Sequence, residues 1–469
     1  LVVNEEKTEA MWLGANHCSP KETLPIKKVD EPILILGVLF TYNSKLKREL
    51  NLETILKNIK EVLNLWRWRN LTIYGRVQIL KTFIVPKILY RATTLCLDKE
   101  ISKEIETLMY TFLWSGKDKV KRRVVIDDYN GGGIKMPNIP FMIKSQRVLF
   151  LKRYKEMHPT IWKTVLKHYF KHLGGSFLLD CNFSMTLLPS QLPLFYKECF
   201  SAWASLKTNK DNSTQQNRDF ILNQVIWNNK SILIGKKSVY RDKLVKAGIV
   251  KIKDILDPQG ILLDFETMNN LYSNILSYSD YFLLYSISQS ISAQWKPVLR
   301  DPSYNNPANK IIKYKKGMTY FEVGVQMFIL ENLKAKQIYK IFINKDVIEP
   351  TSKLKYQQKY PEYTFEWEEI YSIPYKATID TKHREFQWKI LHRILYGNSS
   401  LYKMQLVDSP LCIFCKTENE TLEHLFFRCK LISNFWMAIE NSLKTEQILL
   451  SRLLEIEVLV GITKEIKYK

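Results

Sequence analysis

The chain has 469 residues, 46% of them hydrophobic, and carries 70 Lys/Arg against 47 Asp/Glu for a formal charge of +23. That length allows roughly two to four domains with sizeable cores, and the basic excess points to a polyanion, either nucleic acid or an anionic membrane surface. No apolar run approaches the ~20 residues of a spanning helix, and the scattered, odd set of seven cysteines fits a reducing compartment better than a disulfide framework.

The first residues, LVVNEEKTEA, read as mid-domain sequence with no starting Met and no secretory signal. Residues 1–43 read as short strands and turns. Ala10-Met11-Trp12-Leu13 is one expected strand and Pro32–Phe40 another, with Gly37 at a bend. From Lys45 to Cys96 the pattern is helical. Val77, Leu80, Ile84 and Ile88 form one apolar stripe, flanked by Arg76 and Lys87 on one edge and Lys81 on the other. Pro86 is expected to kink or break this helix.

Lys45 to Lys155 holds 24 Lys/Arg and 10 Asp/Glu, more than half of the net charge, so phosphates of a partner are expected here. Within it, LWRWRNLTIYGR interleaves Trp66, Trp68 and Tyr74 with Arg67, Arg69 and Arg76. Such a mixture suits a duplex backbone or stacking on single-stranded bases; equally, the tryptophans can be core beneath a solvated arginine face. Lys117, Lys119, Lys121, Arg122 and Arg123 form the densest basic cluster. Val124–Tyr129 (VVIDDY) looks like an apolar strand ending in Asp127-Asp128. Its place between a basic run and Gly131-Gly132-Gly133 favours a surface loop over a catalytic hairpin. The glycines lack the Lys-Ser/Thr ending of a P-loop and are read as a turn.

Ser145 to Leu206 is helical with aromatics at intervals, and the polar stretch Lys207–Arg218 reads as a loop. IWNNKSILIGKKSVYRDKLVKAGIVKIKDIL suggests short strands and a helix ending near Gly248. Asp301–Lys316 is a second loop-like boundary, followed by a strand or turn and a helix to about Ile341. In REFQWKILHRILY, Phe386, Ile390 and Ile394 face one way, while Lys389, His392 and Arg393 fall opposite as a basic face, either a nucleic-acid surface or a solvated one.

Pro410–Cys429 (PLCIFCKTENETLEHLFFRC) gathers three of seven cysteines and one of seven histidines. The spacing of Cys412, Cys415, His424 and Cys429 is C-x2-C-x8-H-x4-C, a ligand number and kind that suits tetrahedral Zn2+. The alternative is four unrelated buried residues. A redox C-x-x-C is disfavoured because no βαβ pattern surrounds it. ENETLEHLFF is expected to be a short helix with Leu422, Leu425 and Phe426 on its apolar side, His424 in its middle and Cys429 at its end.

Trp388–Trp436, with its HRILYGN lead-in, DSPLC and FW flanks, resembles the zinc-binding segment that follows the reverse transcriptase of LINE-type non-LTR retrotransposons. VNEEKTEAMWLG with LGVLFTYN resembles the end of that family's palm. The Trp/Arg stretch through Pro86 and Tyr90 resembles its thumb, FLWSGK with GGGIKMPNI the connection beyond, and Asn228-Asn229 with AGIVKIKDIL the linker.

The resemblance implies a mostly α fold with small β elements (α+β): palm end 1–43, helical basic thumb and connection 44–155, mainly helical linker 156–366, and zinc-binding segment 367–469. It implies the C-terminal part of an RNA-directed DNA polymerase that holds template–primer, structured RNA or target DNA for target-primed reverse transcription. The expected partners are RNA, DNA, RNA–DNA duplex and the upstream reverse transcriptase and endonuclease segments, with no membrane. The expected setting is intracellular, in nucleus and cytoplasm as a ribonucleoprotein. Lys7 matches a lysine assigned as proton donor, or is a surface lysine in a turn. The catalytic aspartates, which hold paired Mg2+ in the intact polymerase, would precede this chain, so no catalytic residue is assigned and the chain alone is expected to be inactive. Two other readings stay open: a decayed copy whose zinc only staples the fold, and one half of an active split polymerase.

Overall fold

The structure, a computed structural model, describes residues 4–10, 27–28, 32–156, 158–207, 218–301, 317–323, 326–446, 452–461 and 467–468. Helices dominate, and the named strands among the described residues form four two-stranded pairs. The fold is mostly α with small β elements, as the resemblance implies. The chain divides into two compact units, one made of Leu1–Pro140 with Asp346–Lys469 and the other of Phe141–Lys345.

The first unit is built on helices whose apolar residues recur every three to four positions. Helix Thr54–Arg67 buries Ile55, Ile59 and Leu63 and packs against helix Lys99–Trp114, which buries Ile101, Ile105 and Met109. Each such side chain contributes about 1.5–3 kcal/mol when fully removed from water. The expected stripe Val77, Leu80, Ile84 and Ile88 is buried. Pro86 neither ends nor breaks its helix. Helical winding runs from Ile73 to Ala92, and the turn Leu80–Ile84 is widened to π before Pro86, which sits in the first turn of the next α segment, where a missing N–H costs least.

Pro32–Phe40 is a hairpin rather than one strand. Ile33–Ile35 pairs antiparallel with Val38–Phe40, and the turn needs positive φ at both Leu36 and Gly37. The buried Asn51 amide ties that hairpin to the helices by bonding both the Leu39 N–H (3.0 Å) and its carbonyl (2.8 Å). Ala10 pairs through Glu9–Ala10 with Lys27–Lys28 in a parallel bridge, whereas Met11–Leu13 lie outside the described residues. VVIDDY is not a strand: Arg122–Val125 is one helical turn, and Asp127-Asp128 begin the loop that the glycines close.

The C-terminal part of this unit contributes helices Trp367–Ala377 and Thr381–Leu391. They join the N-terminal helices through specific bonds. The Ile73 N–H donates to Glu385 at 3.0 Å, the Tyr74 and Tyr375 hydroxyls bond at 2.8 Å, and the Trp114 and Trp388 rings stack 6.2 Å apart.

The second unit has one large core around Phe170, Phe200, Trp203 and Trp227. Both indoles satisfy their N–H inside it, Trp203 on the Leu179 carbonyl (3.0 Å) and Trp227 on that of Ile249 (2.8 Å). A hairpin, Tyr320–Val323 with Gln326–Ile329, precedes helix Ala335–Asp346. In place of the short strands expected after Ile226 there are isolated bridges, Val225 with Lys251 and Ile234 with Lys237. Helix Asp242–Lys246 stops just before Gly248, whose φ is 97°. The expected loops lie almost wholly outside the described residues, which omit 208–217 and 302–316.

Candidate metal centre

Local backbone bonds bring the four predicted ligands together. The Cys412 N–H donates to the Glu418 carbonyl at 2.8 Å and the Glu420 N–H to that of Pro410 at 2.9 Å, closing residues 410–420 into a loop. At its tip Lys416 takes φ 56°, and its N–H bonds the Cys412 carbonyl at 2.9 Å, a turn that sets Cys412 and Cys415 side by side. Buried Glu420 rivets the loop, accepting the Asn398 N–H (2.9 Å) on one oxygen and the Ile413 N–H (3.0 Å) on the other. Gly397 lets that loop come close, since a Cβ there would lie 2.5 Å from the Glu420 carbonyl oxygen.

The expected helix over ENETLEHLFF is shorter than the pattern suggested. The backbone of Glu418 and Glu420 is spent on closing the loop, so helical winding starts at Leu422 and continues as the π turn His424–Arg428. The Cys429 N–H donates to the His424 carbonyl at 2.9 Å, and Cys429 then caps helix Lys430–Thr445.

The ligand atoms of Cys412, Cys415, His424 and Cys429 all lie within 4.8 Å of one another. A tetrahedral zinc with bonds near ~2.0–2.3 Å requires ligand atoms roughly 3.5–3.8 Å apart, so this spread fits one ion. Cys415 Sγ stands 3.3 Å from His424 Nε2. The other ring nitrogen, Nδ1, faces the Glu418 carboxylate at 3.2 Å, an orientation that fixes the imidazole and leaves Nε2 for a metal. The Thr417 hydroxyl donates to Cys415 Sγ at 3.3 Å; with the N–H groups of Thr417 and Glu418 it pulls the Cys415 thiol down to about 6. Burial pushes the Cys412 thiol up. Three sulfurs and one oriented imidazole form a soft donor set that suits zinc. Glu418, Thr417 and Glu420 were not singled out from the sequence. The only signal for Glu418 was a carboxylate inside the ligand stretch.

Residues 351–436 match the family described as zinc-binding in reverse transcriptase. This stretch is similar to the zinc-binding sequences of reverse transcriptases. The chain is also 21% identical over 427 residues to the "Transposon TX1 uncharacterized 149 kDa protein" of Xenopus laevis, a match covering 80% of this chain and 31% of that protein. The chain therefore spans less than a third of the relative it matches. Together the two findings bear out the resemblance to the C-terminal region of a non-LTR retrotransposon reverse transcriptase.

Within the matched stretch, the helix before the knuckle corrects the expected basic face. His392 is 7% exposed, lies between the Trp388 and Tyr371 rings, and donates through Nε2 to the Gly132 carbonyl at 2.8 Å. Burial lowers its imidazole to about 4, so it is neutral at physiological pH. The Trp388 indole donates to the same carbonyl at 3.0 Å, which gives the glycine turn its role: Gly132 takes φ 88°, and a Cβ there would meet Pro350 and Tyr371 at 3.0 Å. Arg393 bonds Glu423 at 2.6 Å and Lys389 bonds Glu385 at 2.5 Å. Buried Glu423, next to His424, also takes Lys359 at 2.8 Å. Burial alone would raise its carboxyl, but the bonds from Lys359 and Arg393 outweigh this and hold it at about 2.

The basic residues of the first quarter separate into two groups. Arg76 is half-buried and caps the helix Lys99–Trp114, donating to the carbonyls of Phe112 (3.1 Å) and Leu113 (3.2 Å) and to the Ser115 hydroxyl, groups the helix end leaves unpaired. Arg122 pairs with Asp118 (2.8 Å) and Glu106 (3.5 Å), and Arg123 donates to the Asp346 carbonyl (2.6 Å). Lys81 is half-buried. By contrast Arg67, Arg69, Lys87, Lys117, Lys119 and Lys121 are exposed and hold no ion pair among the described residues. Lys7 is exposed at the end of the turn Glu5–Lys7.

Proposed function

We propose that this chain is the nucleic-acid-holding part of a retrotransposon RNA-directed DNA polymerase, with a structural Zn2+ bound by Cys412, Cys415, His424 and Cys429. The observation that carries the proposal is the convergence of those four side chains inside a region matching reverse-transcriptase zinc-binding sequences. The metal would join a loop that closes on itself to the helix that follows it, which is folding free energy supplied by coordination. The polyanion partners are RNA, DNA and RNA–DNA duplex, engaged for target-primed reverse transcription in the nucleus and cytoplasm beside upstream polymerase and endonuclease segments. The exposed residues Arg67, Arg69, Lys87, Lys117, Lys119 and Lys121 supply the phosphate contacts, and the net charge of +23 supports this.

Elemental analysis and binding test this reading together. The purified protein should hold one zinc per chain, lost in the Cys412→Ser/Cys415→Ser variant, and should bind an RNA–DNA duplex with affinity that falls steeply with salt. Bound zinc without measurable affinity for RNA or DNA would reduce the knuckle to a structural staple, and absence of zinc would remove the metal site.

A further inference from the structure

Three aromatics stand among the arginines of LWRWRNLTIYGR, and the structure gives them different fates. Tyr74 is committed to the Tyr375 hydroxyl and to the edge of the Tyr129 ring. Trp66 is half-buried and stacks on Phe83 with ring centroids 5.7 Å apart. Trp68 is 87% exposed, on the turn that ends helix Thr54–Arg67, and its neighbours Arg67 and Arg69 are exposed as well.

We infer that Trp68 is a stacking platform for one unpaired base of a single-stranded nucleic acid, with Arg67 and Arg69 on the flanking phosphates. An indole held in water offers a flat π face on which a base can stack. What surrounds it identifies the occupant. Two guanidiniums without carboxylate partners among the described residues favour a polyanion, and a bare indole face favours a polyanion that presents flat rings. A duplex hides its base faces, so only an unpaired nucleotide satisfies both.

The turn is preorganised for this task. The Arg69 N–H donates to the Trp66 carbonyl at 3.2 Å and the Leu71 N–H to that of Arg69 at 2.8 Å, so little order need be gained on binding. Arg67 also lines an open groove of about 270 Å³ that has Leu63, Leu108 and Phe112 along its floor and Lys60 and Asn64 beside them, so a strand leaving Trp68 meets further basic and apolar surface there.

The inference rests on the nucleic-acid reading above, and its test separates the two. The probe is a single-stranded RNA carrying 2-aminopurine, whose fluorescence is quenched on stacking, with an RNA–DNA duplex as the comparison. Wild type should quench the probe. Trp68→Ala should abolish the quench and weaken single-strand affinity by roughly 5- to 150-fold, the range expected for one base–aromatic stack, with duplex affinity unchanged. Trp68→Phe should keep most of both. The Ala variant should fold normally because the side chain has so little packing to lose. If Trp68→Ala quenches and binds the single strand like wild type, or if wild type binds duplex but not single strand, the inference falls and the nucleic-acid reading stands. If wild type binds neither, both fall.

Discussion

Two stretches of the first unit look alike on paper: the turn Arg67-Trp68-Arg69 and the helix end Lys389–Arg393 each set basic groups beside aromatics. In the fold they are opposites. Lys389, His392 and Arg393 each find an internal partner, in Glu385, the Gly132 carbonyl and Glu423. The arginines of the turn find none among the described residues, and the tryptophan between them is bare. A basic residue near an aromatic is thus not in itself a phosphate contact. What decides is whether the fold brings an acceptor to it, and a site spent on internal acceptors has nothing left for a ligand.

The largest way to break the contrast is to remove the metal. In Cys412→Ser/Cys415→Ser the loop 410–420 keeps its backbone bonds but loses two of the four ligands of the proposed ion, which would tie it to His424 and Cys429. Because the zinc-binding region and the basic helices belong to one compact unit, the expected result is a lowered thermal transition for that unit and loss of hydrogen-exchange protection around Cys429 and Trp388. Unchanged melting would mean that coordination contributes nothing to this fold.

Next in size is Glu423→Gln. It leaves the largely buried Arg393, and the exposed Lys359 beside it, facing a neutral amide, and breaking a fully buried pair in this way costs about 3–5 kcal/mol, an upper bound here. Denaturant unfolding should show that loss. A cost within the surface range of about 0.5 kcal/mol would mean that Arg393 is free to serve elsewhere, which would restore the helix as a binding face.

What the sequence made legible follows the same division. Periodicity is local, so the stripe Val77, Leu80, Ile84 and Ile88 could be read directly. Ligand spacing is nearly local, so Cys412, Cys415, His424 and Cys429 group together in the sequence itself. Partners distant in the chain could not. Nothing near His392 in sequence announces Gly132, and nothing near Tyr74 announces Tyr375. Pro86 departs from the expected break for a different reason: the preceding turn, Leu80–Ile84, is widened to π and absorbs the proline. The joining of residues 1–140 with 346–469 into one unit is likewise a fact of tertiary packing that linear reading does not carry.

A subtler way to sharpen the comparison is pH. The His392 imidazole sits at about 4 in the fold against ~6.5 in the unfolded chain. The unfolded state therefore takes up the proton first as pH falls. The stability His392 contributes is complete above about pH 6.5 and declines toward pH 4, with a slope of up to one proton. His392→Gln retains a donor for the Gly132 carbonyl and removes the titration. Its unfolding free energy should be flatter than wild type across that window, and an identical slope would mean that His392 is not buried as a neutral group.

The smallest effects concern binding alone, and they set the two stretches directly against each other. Arg67→Gln with Arg69→Gln removes two exposed charges, so the slope of log affinity against log salt should fall by roughly 1.4–1.8, with stability within about 0.5 kcal/mol of wild type. Lys389→Gln removes one charge that already has a partner. Its ammonium is neutralised by Glu385, and that carboxylate still accepts the Ile73 N–H after the substitution. The salt slope of Lys389→Gln should therefore match wild type, and isothermal titration across a salt series reads both variants on one axis. A drop of one unit for Lys389→Gln would mean that nucleic acid competes successfully with Glu385 for the lysine. The pairing would then be a resting arrangement that the ligand displaces, and the difference between the two stretches would be one of degree.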